Sequence, residues 1–139
     1  MKTLNNFING KSVPATSGKT SDLINPATGQ VFAKAPISSA TDVDSAMNAA
    51  AKAFEDFRDS TPSERQKALL KIADAIESRA DELVALESEN TGKPLAVTTS
   101  EEIPPMLDQI RFFAGAARNL EGRSAGEYMR GMTSFIRRE

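Results

Sequence analysis

Asn, Gly and Pro punctuate this chain at a few fixed places, and the spacing between them decides which segments can be strands and which helices. Asn9-Gly10 sits between Phe7-Ile8 and Lys11-Ser12-Val13, a two-residue hairpin signal because both turn positions tolerate positive φ. Asn25-Pro26-Ala27-Thr28-Gly29 separates Leu23-Ile24 from Gln30-Val31-Phe32-Ala33. Pro presets one turn dihedral there and Gly permits another, so residues 4–35 read as hairpins of short strands. Beyond them the period changes. Thr41-Asp42-Val43-Asp44 is close to a capping box, and Val43, Ala46, Met47, Ala50, Ala53, Phe54 and Phe57 follow at helical spacing. Thr61-Pro62-Ser63-Glu64 is a cleaner box, with Pro where the orphan amide is not missed. Gly92 stops the run that follows and Pro94 forbids its resumption. A last run begins near Ser100, takes Pro104-Pro105 into its first turn and carries Met106, Leu107, Ile110, Phe113, Ala114 and Ala117 as far as Gly122. Helices are expected at about 41–58, 62–91 and 101–120, the second with a bend near Ser78. Phe113 is expected to point inward and Phe112 to be partly exposed.

Each helix has one apolar face and therefore needs a partner surface. Aromatic residues make up only 6 % of the chain, so those faces are built from Ala, Leu, Ile and Val and imply a thin core. The helices could cover one another, or they could cover a sheet that these residues do not supply. Hairpins before them and an unfinished strand after them, Thr133-Ser134-Phe135-Ile136-Arg137-Arg138-Glu139, favour the second arrangement and a truncated chain.

Several chemistries are excluded at once. The sequence has no cysteine, so it holds no disulfide, thiolate ligand or thiol nucleophile, and no histidine, the commonest general base and zinc ligand. A net charge of −2 gives no general attraction to nucleic acid or anionic lipid. Met1–Asn6 lacks the apolar run of a secretory signal, and no segment approaches the roughly 18 apolar residues of a spanning helix, so a cytoplasmic protein is expected. Gly92-Lys93-Pro94 lacks the Gly-rich lead and the Ser/Thr of a phosphate loop and sits at a helix C-terminus, where carbonyls rather than amides are presented. Lys93 reads as a last-turn or surface cation. Glu101 and Glu102 are adjacent on a helix and so do not face each other as a catalytic pair. Arg130, Arg137 and Arg138 form a small basic patch, diluted by Glu127 and Glu139 and without a recognition helix.

Taken in order, Phe7-Ile8-Asn9-Gly10, Asn25-Pro26-Ala27-Thr28-Gly29-Gln30, Glu64-Arg65, Asn90-Thr91-Gly92-Lys93-Pro94 and Arg111-Phe112-Phe113-Ala114-Gly115 resemble the N-terminal segment of the NAD(P)-dependent aldehyde dehydrogenase superfamily. The resemblance covers essentially the whole chain. From Gly126 to Glu139 the sequence is most similar to the gamma-aminobutyraldehyde and betaine aldehyde branch. What the resemblance implies is an α/β, aldehyde-dehydrogenase-like fold. Residues 1–122 would be the hairpins and covering helices of the nucleotide-binding domain, and 123–139 the start of an oligomerisation arm. The parent would be a homodimer or homotetramer oxidising a small aldehyde to the acid, with NAD or NADP, through a thiohemiacetal on a cysteine. That cysteine, the general-base glutamate and the nucleotide contacts all lie beyond Glu139, so the fragment is expected to be inactive. The resemblance also implies a monovalent cation, K+ or Na+, held by the backbone carbonyl of Ile24 and the side chain of Glu102, where the family often has Asp. A solvated first-turn acid is the other reading of Glu102. A free-standing helical binding or assembly module is the alternative reading of the whole chain.

Overall fold

The computed structural model describes residues 2–119, 122 and 124–135. Its first strands follow the turn chemistry. Strand β2 (Asn6–Ile8) pairs antiparallel with β3 (Lys11–Val13), and Asn9 and Gly10 take φ of 52° and 73°, the twist a two-residue hairpin needs. Strands β4 (Thr20–Ile24) and β5 (Val31–Pro36) pair antiparallel around the Asn25–Gly29 turn. That turn is closed from within. Asn25 Oδ1 accepts from the Ala27 amide at 2.9 Å, and the Asn25 amide donates to the Gln30 carbonyl at 2.9 Å. A further strand, β1 (Lys2–Thr3), lies parallel to β5 and completes a sheet of order β1-β5-β4. The polar start of the chain gave no periodic sign of it.

Helix α1 (Ala40–Phe57) is capped by Ser39 and not by Thr41, which falls in its first turn. Asp42 is the reason. It sits three residues after Ser39, and its carboxylate accepts from the Ser39 amide at 2.8 Å and the Ser39 hydroxyl at 2.9 Å. The same carboxylate accepts from the Thr16 amide at 3.0 Å and the Thr16 hydroxyl at 3.0 Å, tying the loop after β3 to the helix start. Asp42 is 5 % exposed. The amides of Ser39 and then Thr16 hold its carboxyl below the usual carboxylate range.

Helix α2 (Pro62–Glu77) starts at the expected box: the Thr61 amide donates to Glu64 Oε2 at 2.7 Å and the Glu64 amide to Thr61 Oγ1 at 3.3 Å. The expected single helix over 62–91 is two. Ser78 turns its hydroxyl back to the Ala75 carbonyl at 3.0 Å, and Arg79 leaves helical geometry at φ −120°, ψ 21°. Helix α3 (Ala80–Thr91) then begins, with Arg79 clamped on Glu82 by two bonds of 2.8 Å.

After Gly92 the chain makes a short helix, α4 (Leu95–Val97), a π-helical turn over Thr98–Glu102, and α5 (Ile103–Ala116). The expected start near Ser100 is therefore late, and the wide turn has a cause in the sequence. Pro104 and Pro105 have no amide to give the carbonyls four residues back, and their rings crowd those carbonyls. The ladder shifts by one, and the Ile103 amide donates to the Thr98 carbonyl five residues away. At the other end α5 stops at Ala116 rather than near 120, because Arg118 and Asn119 close tight turns onto Gly115 and Ala116. Leu120 lies outside the described residues.

Helix α2 packs along α5, with Ala73 and Ala114 fully buried between the layers and Leu107 nearly so. At the rim Arg111 bonds Glu77 at 2.6 Å and Asp74 at 3.3 Å, while Arg118 reaches Ser63 and Gln66. Among the described residues the buried apolar set is Ala15, Ala33, Ala73, Val84, Leu107 and Ala114, the thin alanine-rich core the composition implied. Phe113 corrects an expectation. It is 59 % exposed and stacks edge-on against Phe112 at 5.4 Å, because the face buried on α2 is carried by Leu107 and Ala114 instead. Strands β6 (Ser124–Met129) and β7 (Met132–Phe135) form an antiparallel hairpin around Arg130-Gly131, the second of them opening the strand expected from Thr133 onward. Ile136, Arg137, Arg138 and Glu139, the rest of the expected strand and most of the basic patch, lie outside the described residues.

The Asp42 knot carries a pH signature. Its folded pKa is depressed, so its stabilisation is present above the unfolded value of 3.8 and is lost as pH falls through the lower folded value. Glu64 and Glu77 are depressed for the same kind of reason, by the Thr61 amide and by Arg111, and share that acid limb. Urea midpoints followed by circular dichroism from roughly pH 5 to pH 3 should fall more steeply for the wild type than for Asp42→Asn. Equal slopes would place the acid sensitivity elsewhere.

Candidate functional site

Two of the sequence motifs meet in space. Helix α3 ends because Gly92 takes φ 75°, ψ 9°, a left-handed cap that L side chains adopt only with strain. That cap lies against the Asn25–Gly29 turn so closely that a Cβ at Gly92 would stand 2.9 Å from Pro26 Cγ. Glycine is thus required twice at position 92, for its dihedral and for its lack of a side chain. The contact joins the β4–β5 turn to the end of α3, where Lys93 and Pro94 leave the helix.

Lys93 and Pro94 leave this junction. Lys93 is half-buried, and its ammonium donates to Glu102 Oε1 at 2.6 Å and reaches Glu87 Oε1 at 3.4 Å. Glu102, and next to it Glu87, hold the Lys93 ammonium above its ordinary value, so it stays charged across the physiological range. Glu87 is on α3 and Glu102 closes the π-helical turn, so one lysine spans two elements. Sequence reasoning treated Lys93 as a surface cation and missed this role. Its partners lie six residues before it and nine after it, and neither interval is a helical register.

Of the two residues expected at a cation, Glu102 is therefore engaged by Lys93. Ile24 is the last residue of β4, pairs with Val31 across an irregularity in the register after Leu23, and has an exposed side chain. Leu23 turns instead into a cleft of about 670 Å³ between the sheet and α3, walled also by Leu4, Phe32, Leu83 and Leu86, with Glu87 on its rim. Among the described residues there is no group of three or more His, Cys, Asp or Glu placed to hold a metal ion. Glu101 bonds Ser100 while Glu102 bonds Lys93, so the adjacent acids serve different partners. No helix among the described residues is long and apolar enough to cross a membrane. Thr98, buried within the π-helical turn, has no hydrogen-bond partner for its hydroxyl among the described residues.

The geometry has counterparts. The model of the aldehyde dehydrogenase family matches residues 13–139. The long-chain-aldehyde dehydrogenase of Acinetobacter sp is 40 % identical over 117 residues, 84 % of this chain and 23 % of that protein. The 2-aminomuconic semialdehyde dehydrogenase of Danio rerio is 41 % identical over 113 residues, 81 % of this chain and 23 % of its own length. Among solved structures, the NAD-dependent aldehyde dehydrogenase from Sinorhizobium meliloti superposes with a TM-score of 0.87 at 36 % identity, covering 96 % of this chain and 27 % of that one. The chain spans about a quarter of the length of the relatives it matches.

The junction can be tested against an internal control. Gly29 also has a positive φ, 70°, but open space where its Cβ would be. Gly29→Ala should cost about 1–2 kcal/mol from the dihedral alone, measured by urea unfolding. Gly92→Ala should cost clearly more, because the Pro26 ring must also move. Equal costs would mean that the two turns do not press on each other.

Proposed function

Because the chain belongs to the aldehyde dehydrogenase family, we propose that these residues serve as the N-terminal part of an NAD(P)-dependent enzyme that oxidises an aldehyde to its carboxylic acid. The observation that carries this reading is the uncovered apolar side of α1. Phe54 and Phe57 are 53 % and 57 % exposed, and Val43 and Met47 on the same helix are exposed as well. A helix with such a stripe needs a packed partner layer, and in an aldehyde dehydrogenase parent the nucleotide-binding sheet would supply it. The sequence has no cysteine, so the attacking thiolate is supplied by other residues of the parent polypeptide. NAD or NADP would take the hydride there. The Gly-Lys turn at 92–93 caps the C-terminal end of a helix and presents no cradle of amides, so the dinucleotide too would be held outside these residues.

The work left to this segment is burial and assembly. Helices α1 and α5 cover the nucleotide domain, and the β6–β7 hairpin begins the arm that meets sister subunits in a homodimer or homotetramer. The sequence from Gly126 onward supports 4-aminobutyraldehyde or a related amino or betaine aldehyde as substrate. The compartment is the cytoplasm.

Two measurements test the reading together. Intact-mass analysis of the polypeptide isolated from its source should give about four times the 14.9 kDa of these 139 residues, since they span about a quarter of their relatives. That polypeptide should reduce NAD+ or NADP+ with 4-aminobutyraldehyde faster than with acetaldehyde, while residues 1–139 produced separately should form no reduced cofactor above an aldehyde-free blank. A stable 14.9 kDa species in the source, with no larger form, would favour the assembly module instead.

A further inference from the structure

The turn after α3 carries a fixed ammonium at the acid where the family resemblance anticipates a dissolved cation. A monovalent ion shared by Ile24 and Glu102 would bind through oxygen donors, and the carboxylate of Glu102 is the charged member of that pair. Its Oε1 is already 2.6 Å from Lys93 Nζ, and Glu87 Oε1 lies 3.4 Å from the same nitrogen. Lys93 reaches this position because the chain around it is constrained on both sides. Gly92 is locked by its left-handed φ and by the Pro26 ring, and Pro94 fixes φ at −60° before α4 begins. The π-helical turn then brings Glu102 back toward the end of α3.

The donor set therefore does not fit a free monovalent ion. An arriving K+ or Na+ would meet a positive charge on the very carboxylate it needs, and would have to displace an ammonium that is tethered and so always present at high local concentration. We propose that Lys93 is the built-in cation of this junction, linking Glu87 on α3 to Glu102 at the entrance of α5, so that the corner between the two helices holds without bound K+ or Na+. An ammonium is a compact point charge on a flexible stem, which suits it to the place of a small ion better than a planar guanidinium. The three side chains are partly solvated, so the link is screened by salt and must be tested at constant ionic strength.

Thermal midpoints of the protein in KCl, NaCl and choline chloride at one ionic strength give the test. The wild type should melt at the same temperature in all three salts. Lys93→Met should melt lower in choline chloride, by roughly 3 °C, and recover part of that loss in KCl or NaCl, because the freed carboxylates can then take the metal ion. Lys93→Arg should be as indifferent to the choice of salt as the wild type. Stabilisation of the wild type by K+ or Na+ that disappears in Glu102→Gln would overturn the proposal, as would a Lys93→Met variant that ignores the salt. If that variant fails to fold, the line width of the sodium NMR signal still decides. Wild type and Glu102→Gln should broaden it equally, and excess broadening by the wild type would show a bound ion and contradict the assignment. Neither readout needs catalysis, so failure here leaves the aldehyde dehydrogenase reading untouched.

Discussion

Helix faces without a partner govern this structure. Helix α1 is tied to the described chain at its first turn, where Asp42 bonds Thr16, and it touches β2, while its phenylalanines, Met47 and Val43 are largely exposed. Complete burial of one such side chain contributes about 1.5–3 kcal/mol, so the uncovered stripe represents a large share of what a domain of this size could have in hand. The α2–α5 layer, closed by Ala73, Ala114 and Leu107, is the exception. Alanine lets two helices approach closely but brings little apolar area with it. A core of that kind makes sense as one side of a larger interface.

With so little buried, backbone geometry and polar ties carry the order. The Asp42 carboxylate takes four donors from Thr16 and Ser39 and so joins the strand region to the first helix. The capping box at Thr61 and Glu64 satisfies orphan amides of α2. Gly92 against Pro26 does the same job by shape rather than charge, pressing one turn on another. The solvated pairs at Arg79–Glu82 and Arg111–Glu77 set orientation more than stability, as exposed ion pairs generally do. Some of these links close within four residues and others join segments far apart in the chain, and together they define the segment's shape without covering its apolar faces.

Legibility in the sequence followed the range of the cause. The Asn9-Gly10 hairpin, the Thr61 box and the Gly92 stop could be read directly, because each is decided within four residues. So could the order of motifs that identifies the family. Ser39 was passed over for Thr41 because each has an acid three residues on, and the Thr16 bonds that reinforce the Ser39–Asp42 box come from more than twenty residues earlier. The break at Ser78 was visible only as a bend, and the π-helical turn follows from two prolines whose effect falls on the preceding turn. Phe113 was assigned inward from helical periodicity, which says that a face is apolar but not which surface it meets. The Lys93 bridge was invisible for the same reason that it matters: its partners come from both sides of a turn whose geometry is set by Gly92 and Pro26.

The central claim is that α1 and α5 present apolar surface meant for residues outside these 139. Fluorescence of anilinonaphthalene sulfonate, with sedimentation velocity on the same sample, tests it most directly. Residues 1–139 in native buffer should bind the dye strongly and self-associate as concentration rises, with helical content retained. A monomer at all concentrations, binding no more dye than a compact folded control, would contradict the account.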